Sequence, residues 1–125
     1  MRRLLVFAAI VLLSLEPVAA WAHARLVKSE PAQRAVLSRP PNQLRLWFNE
    51  KLEPAFSIAT VLDASGNSVT SVEAAVSKTD PKLLVLPLPR LSKGTYTVQF
   101  QVLSIDGHTV KSSFRFDIRE AAGLK

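Results

Sequence analysis

Two short stretches of this 125-residue chain carry side chains that could together hold a metal ion. In the first, Ala20-Trp21-Ala22 is a small-x-small cleavage pattern followed directly by His23. A cut after Ala22 makes His23 the first residue and frees a backbone amine beside its own imidazole. Amine and Nδ1 of one residue can close a chelate ring around a cation, which no internal histidine can do. In the second, Asp106-Gly107-His108 sets a carboxylate and an imidazole two residues apart, on the same side of an extended backbone. Gly107 between them leaves room and permits a backbone angle that other residues avoid. These are the chain's only two histidines.

Two imidazoles, an amine and a carboxylate form a nitrogen and oxygen set that suits the tetragonal preference of Cu(II), and copper heads the affinity order of the divalent first-row metals. Cysteine is absent and the one methionine is Met1, so the exported chain has no soft sulfur ligand for Cu(I). The same absence removes disulfides, zinc-thiolate sites and thiol catalysis. Zinc accepts similar donors in a tetrahedron and stays open as an alternative. So do plainer readings: Asp-Gly is an ordinary hairpin pair, and a histidine follows a cleavage site now and then by chance. Glu50 is either an exposed loop carboxylate or a group that accepts a hydrogen bond from the amine or an imidazole and so orients it. No paired carboxylates, Gly-x-Ser-x-Gly elbow or glycine-rich phosphate loop is present, so no enzyme is expected.

Export is itself a reading of the sequence. Arg2 and Arg3 precede an apolar run from Leu4 to Leu13, and Glu16-Pro17 breaks it before the cleavage site. That run is short of the roughly 20 residues a spanning helix needs. Residues 1–22 are therefore expected to be a secretory signal peptide, 23–119 a single β domain that binds the metal, and 120–125 a flexible tail. The formal net charge is +6, but the cations are scattered and not interleaved with aromatics. This argues against nucleic acid as a partner, while attraction to anionic membrane surfaces stays open.

The elements that must position these groups read as strands. Leu44, Leu46 and Phe48 alternate with Gln43, Arg45 and Trp47, the period of a strand with one face in the core. Tyr96, Val98, Phe100 and Val102 alternate in the same way, as do Phe114, Phe116 and Ile118, so two half-buried strands flank Asp106-Gly107-His108. Shorter strands are expected at 24–29, 56–62 and 82–86, and 56–62 is expected to form a hairpin with 69–76 through the turn at 63–68. Residues 71–77 could instead make one helical turn. With prolines and glycines spacing short strands and no long amphipathic helix, the fold class is all-β: an antiparallel Greek-key β-sandwich or barrel, cupredoxin-like or immunoglobulin-like.

Over most of its length the chain resembles the CopC/PcoC family of periplasmic copper-resistance proteins. The likeness runs through His23-Ala24-Arg25-Leu26-Val27-Lys28-Ser29-Glu30-Pro31-Ala32, Leu46-Trp47-Phe48-Asn49-Glu50, Leu91-Ser92-Lys93-Gly94-Thr95-Tyr96-Thr97-Val98 and Ser104-Ile105-Asp106-Gly107-His108. It implies a periplasmic Cu(II)-binding protein, with His23 (amine and imidazole), Asp106 and His108 as copper ligands and Glu50 beside them. It also implies delivery to a CopD-type inner-membrane copper transporter, and a monomer is expected. Some members carry a second, methionine-rich Cu(I) site; this chain has no residues to match it and resembles the cupric-only type. Thr109 and Ser112 stand where proline and glycine are frequent in the family, and Phe100 where tryptophan is. Two alternatives stand beside the carrier: a histidine-brace copper monooxygenase, and a metal-free immunoglobulin-like interaction module.

Overall fold

The computed structural model describes residues 24–119. His23, the expected signal peptide and the expected tail lie outside the described residues. Eight strands follow in order: β1 (Leu26–Glu30), β2 (Val36–Leu37), β3 (Gln43–Phe48), β4 (Ile58–Leu62), β5 (Ala75–Val76), β6 (Leu83–Pro87), β7 (Gly94–Leu103) and β8 (Thr109–Ile118), with one 3-10 turn at Pro54–Phe56. They form two four-stranded sheets, β1-β3-β6-β5 and β2-β8-β7-β4. The chain leaves β4 for the other sheet, makes β5 and β6 there, and returns as β7 beside β4, a Greek-key crossing. No helix among the described residues is long and apolar enough to cross a membrane.

The alternation read in the sequence is the alternation that fills the core. Leu44, Leu46 and Phe48 of β3 face Val98, Phe100 and Val102 of β7 and Phe114, Phe116 and Ile118 of β8, all buried. Phe48 and Phe100 meet edge-on at 5.5 Å between ring centroids and so tie one sheet to the other. Tyr96 stacks on Phe116 at 5.4 Å, and its hydroxyl donates to the Ser92 carbonyl at 2.6 Å, pinning the loop before β7. Trp47 points away from the core, as its place in the alternation requires. Lys28 and Arg45 each lie 4.7 Å from its ring, so flanking cations cover an otherwise exposed aromatic face.

Four expectations are corrected. The hairpin between 56–62 and 69–76 does not form. Asp63 Oδ1 accepts from the amides of Ser65 (2.9 Å) and Asn67 (3.0 Å), so the turn closes as expected, but pairing with β4 stops after Ser68 and Val69. Residues 70–74 then cross over, and Ala75–Val76 pairs with β6 in the other sheet; no helical turn forms there. β4 itself starts at Ile58, because Pro54 opens the 3-10 turn and leaves Phe56 64% exposed. β1 begins at Leu26 and not Ala24. β2 has only two residues, too few for a periodic signal, and it pairs parallel with β8, so that sheet is mixed.

Candidate metal centre

β7 and β8 pair over ten positions, from Gly94↔Ile118 to Leu103↔Thr109, and the turn joining them carries Asp106 and His108. The turn is closed by backbone bonds from Gly107 N–H to the Ser104 carbonyl (2.9 Å) and from Ser104 N–H to the His108 carbonyl (3.0 Å). Gly107 has φ +93°, a left-handed angle that explains why glycine occupies it. The tight turn draws the two flanking side chains together: His108 Nδ1 lies 3.2 Å from Asp106 Oδ1, and the His108 amide donates to the same oxygen at 3.2 Å. The side chains of His108 and Asp106 are 42% and 33% exposed, so the pair is open to a ligand.

Ser104, which had no assigned role in the sequence, completes this arrangement. It is fully buried beneath the turn, and its hydroxyl donates to Asp106 Oδ1. That bond is the main reason the Asp106 carboxyl titrates below its ordinary value; desolvation opposes it, while the His108 amide, side-chain contact and charge reinforce it. Asp106 is thereby held as a carboxylate. Its three hydrogen-bond and ion-pair contacts all use Oδ1.

The second half of the geometry lies in the connector after β3. Asn49 Oδ1 accepts from the Arg25 amide, and the Asn49 amide donates back to the Arg25 carbonyl at 3.1 Å. This reciprocal pair extends the β1–β3 ladder to within two residues of His23. Two residues along the same connector, the Lys51 carbonyl accepts from Ile105 N–H (3.0 Å) and Leu52 bridges Ser104. The connector thus links the start of the described chain to the Asp106-Gly107-His108 turn. Ala24 is buried (1% exposed) in the core cluster against which Val110 also packs, and Ala24, Arg25, Asn49, Phe100, Val110 and Ser112 line one open cavity of about 490 Å³.

Asp106 and His108 are therefore adjacent, while His23 falls outside the described residues. Glu50 sits half-buried in the connector between Asn49 and Lys51; its carboxylate makes no hydrogen bond or ion pair among the described residues. Among the described residues no three His, Cys, Asp or Glu side chains cluster as a metal site. Asn49, like Ser104, had no role assigned from sequence. The signal for Ser104 was local, a hydroxyl two residues before an aspartate in a turn. Asn49 offered none, because its partner is 24 residues away.

Comparison with known proteins bears on the same region. The CopC domain family matches residues 26–119. The chain is 37% identical over 112 residues to copper resistance protein C of Xanthomonas campestris pv. juglandis, covering 85% of this chain and 87% of that one. It is 31% identical to copper transport protein CutJ of Bacillus subtilis over 86% of its length, which spans 20% of that longer protein. Among solved structures, CopC from Methylosinus trichosporium OB3b superposes with a TM-score of 0.75 at 35% identity, covering 82% of this chain and 100% of that one.

Proposed function

The chain belongs to the CopC family, and on that footing we propose that it is a periplasmic Cu(II) carrier whose site forms when the leader is cut before His23. The ligands are the freed amine and imidazole of His23, the Asp106 carboxylate and the His108 imidazole. One observation carries the reading: the connector after β3 holds Arg25 through Asn49 at one point and the Asp106-Gly107-His108 turn through Lys51 and Leu52 at the next. Nδ1 of His108 is turned to Asp106 Oδ1, and this reading gives His108 Nε2 and Asp106 Oδ2 the role of metal donors. In this reading the Glu50 carboxylate accepts a hydrogen bond from the amine or an imidazole and orients it.

Copper is cargo in this reading, not a catalyst. Nitrogen and oxygen donors without sulfur select the cupric ion, in keeping with the lack of cysteine and of any methionine beyond Met1. CutJ, named a copper transport protein, contains a stretch like this chain that makes up 20% of that protein. Delivery to a CopD-type inner-membrane copper transporter, by the carrier as a monomer, belongs to this reading. The amine and the imidazoles must be unprotonated to bind, so affinity falls as pH drops.

Titration of the chain beginning at His23 with Cu(II), followed by electron paramagnetic resonance and visible absorption, tests this reading. One cupric ion per chain with nitrogen hyperfine coupling is expected, and His108→Ala should weaken uptake by more than about tenfold. No copper uptake would leave a metal-free β module. Oxygen-dependent turnover with a reductant and a polysaccharide would replace the carrier with an enzyme.

A further inference from the structure

The outer face of the β2-β8-β7-β4 sheet carries two features that neither the core nor the metal turn uses. At the end next to that turn, Phe56 (64% exposed), Ile58 (56%) and Ile105 (58%) are large apolar side chains left in solvent. Phe56, Ile58, Leu103 and Thr109 line one groove of about 310 Å³, Thr109 being the residue after His108, and Ile105 lies outside the groove in the turn that follows β7. Three such residues at one tip form a cluster, which differs from the scattered exposed apolar side chains of an ordinary surface.

The rest of the face is basic. Lys111 and Arg115 are exposed at alternate positions of β8 with Ser113 between them. Arg34 shares a shallow cavity with Arg115 and Thr95, and Lys51 stands at the tip beside Ile105. Neither Arg34 nor Arg115 makes an ion pair among the described residues. Acidic groups stand here too: Glu53, the exposed Asp106 carboxylate beside Ile105, Glu73 in a cavity it shares with Ile58, and Asp117, which is paired with Arg119 at 3.6 Å. Arg34 is also the only non-glycine residue described with a positive φ (+62°), held there by its amide bond to the Arg115 carbonyl at 2.7 Å.

We propose that this face lies on an anionic phospholipid surface, with Phe56, Ile58 and Ile105 entering the acyl boundary and Lys51, Lys111, Arg115 and Arg34 meeting the headgroups. The partner must be flat, because the cations spread along ten-residue strands about 33 Å long. It must also be negative at its surface and apolar just beneath, because the apolar cluster sits within the same plane as the cations. A bilayer has both properties. An acidic protein would match the charges but offers no reason for the unpaired apolar tip. Where the copper reading above holds, this pose brings the Asp106-Gly107-His108 turn to the membrane at which cargo is handed over.

The described residues hold a complete core of their own, so the test uses the metal-free chain from residue 23 onward. It is mixed with vesicles of phosphatidylethanolamine and phosphatidylglycerol, or of phosphatidylcholine alone, and binding is measured by cosedimentation. Binding to the anionic vesicles only is expected, weakening with salt. Lys111→Glu combined with Arg115→Glu should weaken it by at least about 25-fold, at about fivefold for each charge removed. Phe56→Ser combined with Ile105→Ser should weaken it about tenfold at constant charge. Lys78→Glu combined with Lys82→Glu, on the opposite sheet, should have little effect. Circular dichroism and copper titration of each variant separate loss of this face from loss of fold or of the metal site. Absence of vesicle binding, an equal loss from the opposite-sheet variant, or an apolar variant that binds like the parent would each overturn the proposal.

Discussion

Ser104 sets the behaviour of Asp106. Its buried hydroxyl is the largest influence holding that carboxyl below the ordinary range, and the exposed carboxylate has no other hydroxyl partner among the described residues. Ser104→Ala should raise the Asp106 titration toward the ordinary aspartate range, measured by carboxyl carbon NMR on the metal-free chain. The sign follows from linkage. A group titrating lower when folded adds stability above its unfolded value, and that stability disappears as pH falls through the folded value. Acid unfolding of Ser104→Ala should therefore begin at higher pH than in the parent. Asp106→Asn keeps the shape and removes the charge, and should weaken Cu(II) by about 10–100-fold. At this scale Asp106 and His108 were legible in the sequence, because a glycine between two ligand types is a local signal. Ser104 was half legible, and its burial was not.

The connector after β3 ties Arg25 to the Asp106-Gly107-His108 turn. Asn49→Ala removes the acceptor for the Arg25 amide and should lower stability by about 1 kcal/mol, read as a shift in thermal midpoint. It should also weaken Cu(II) about tenfold while leaving Asp106 and His108 in place, a pairing of effects that a purely structural residue would not give. Gly107→Ala tests the turn. No atom lies within 4 Å of the added methyl, so the expected loss of about 1–2 kcal/mol comes from the left-handed backbone alone. Long strands were legible because a half-buried strand writes its period into the sequence, as at Leu44, Leu46 and Phe48. The two-residue strands Val36–Leu37 and Ala75–Val76 are too short to show a period. The 63–68 turn misled because its Asp63-capped geometry is the same whether the chain returns along β4 or leaves for the other sheet.

At the level of the whole molecule, one core serves both the fold and the site. Phe48 touches Phe100 across the sheets and pairs with Leu26, two residues after Ala24, so it joins the packing to the start of the described chain. Phe48→Ala should cost about 3–5 kcal/mol, measured as a lower urea midpoint with an unchanged slope. Copper should recover part of that loss in proportion to its affinity for the folded state. The sandwich and its core positions were readable from alternation and turn residues. The adjacency of the connector, the chain start and the Asp106-Gly107-His108 turn was not, because it depends on strand order. That adjacency is tertiary.

The most direct measurement compares Cu(II) affinity, by competition with a chromophoric chelator, for the chain beginning at His23 and for the same chain with one glycine added before it. The added residue leaves every side chain in place and moves only the free amine. A loss of more than about hundredfold is expected if that amine is a ligand, and equal affinities would contradict a site made by cleavage before His23.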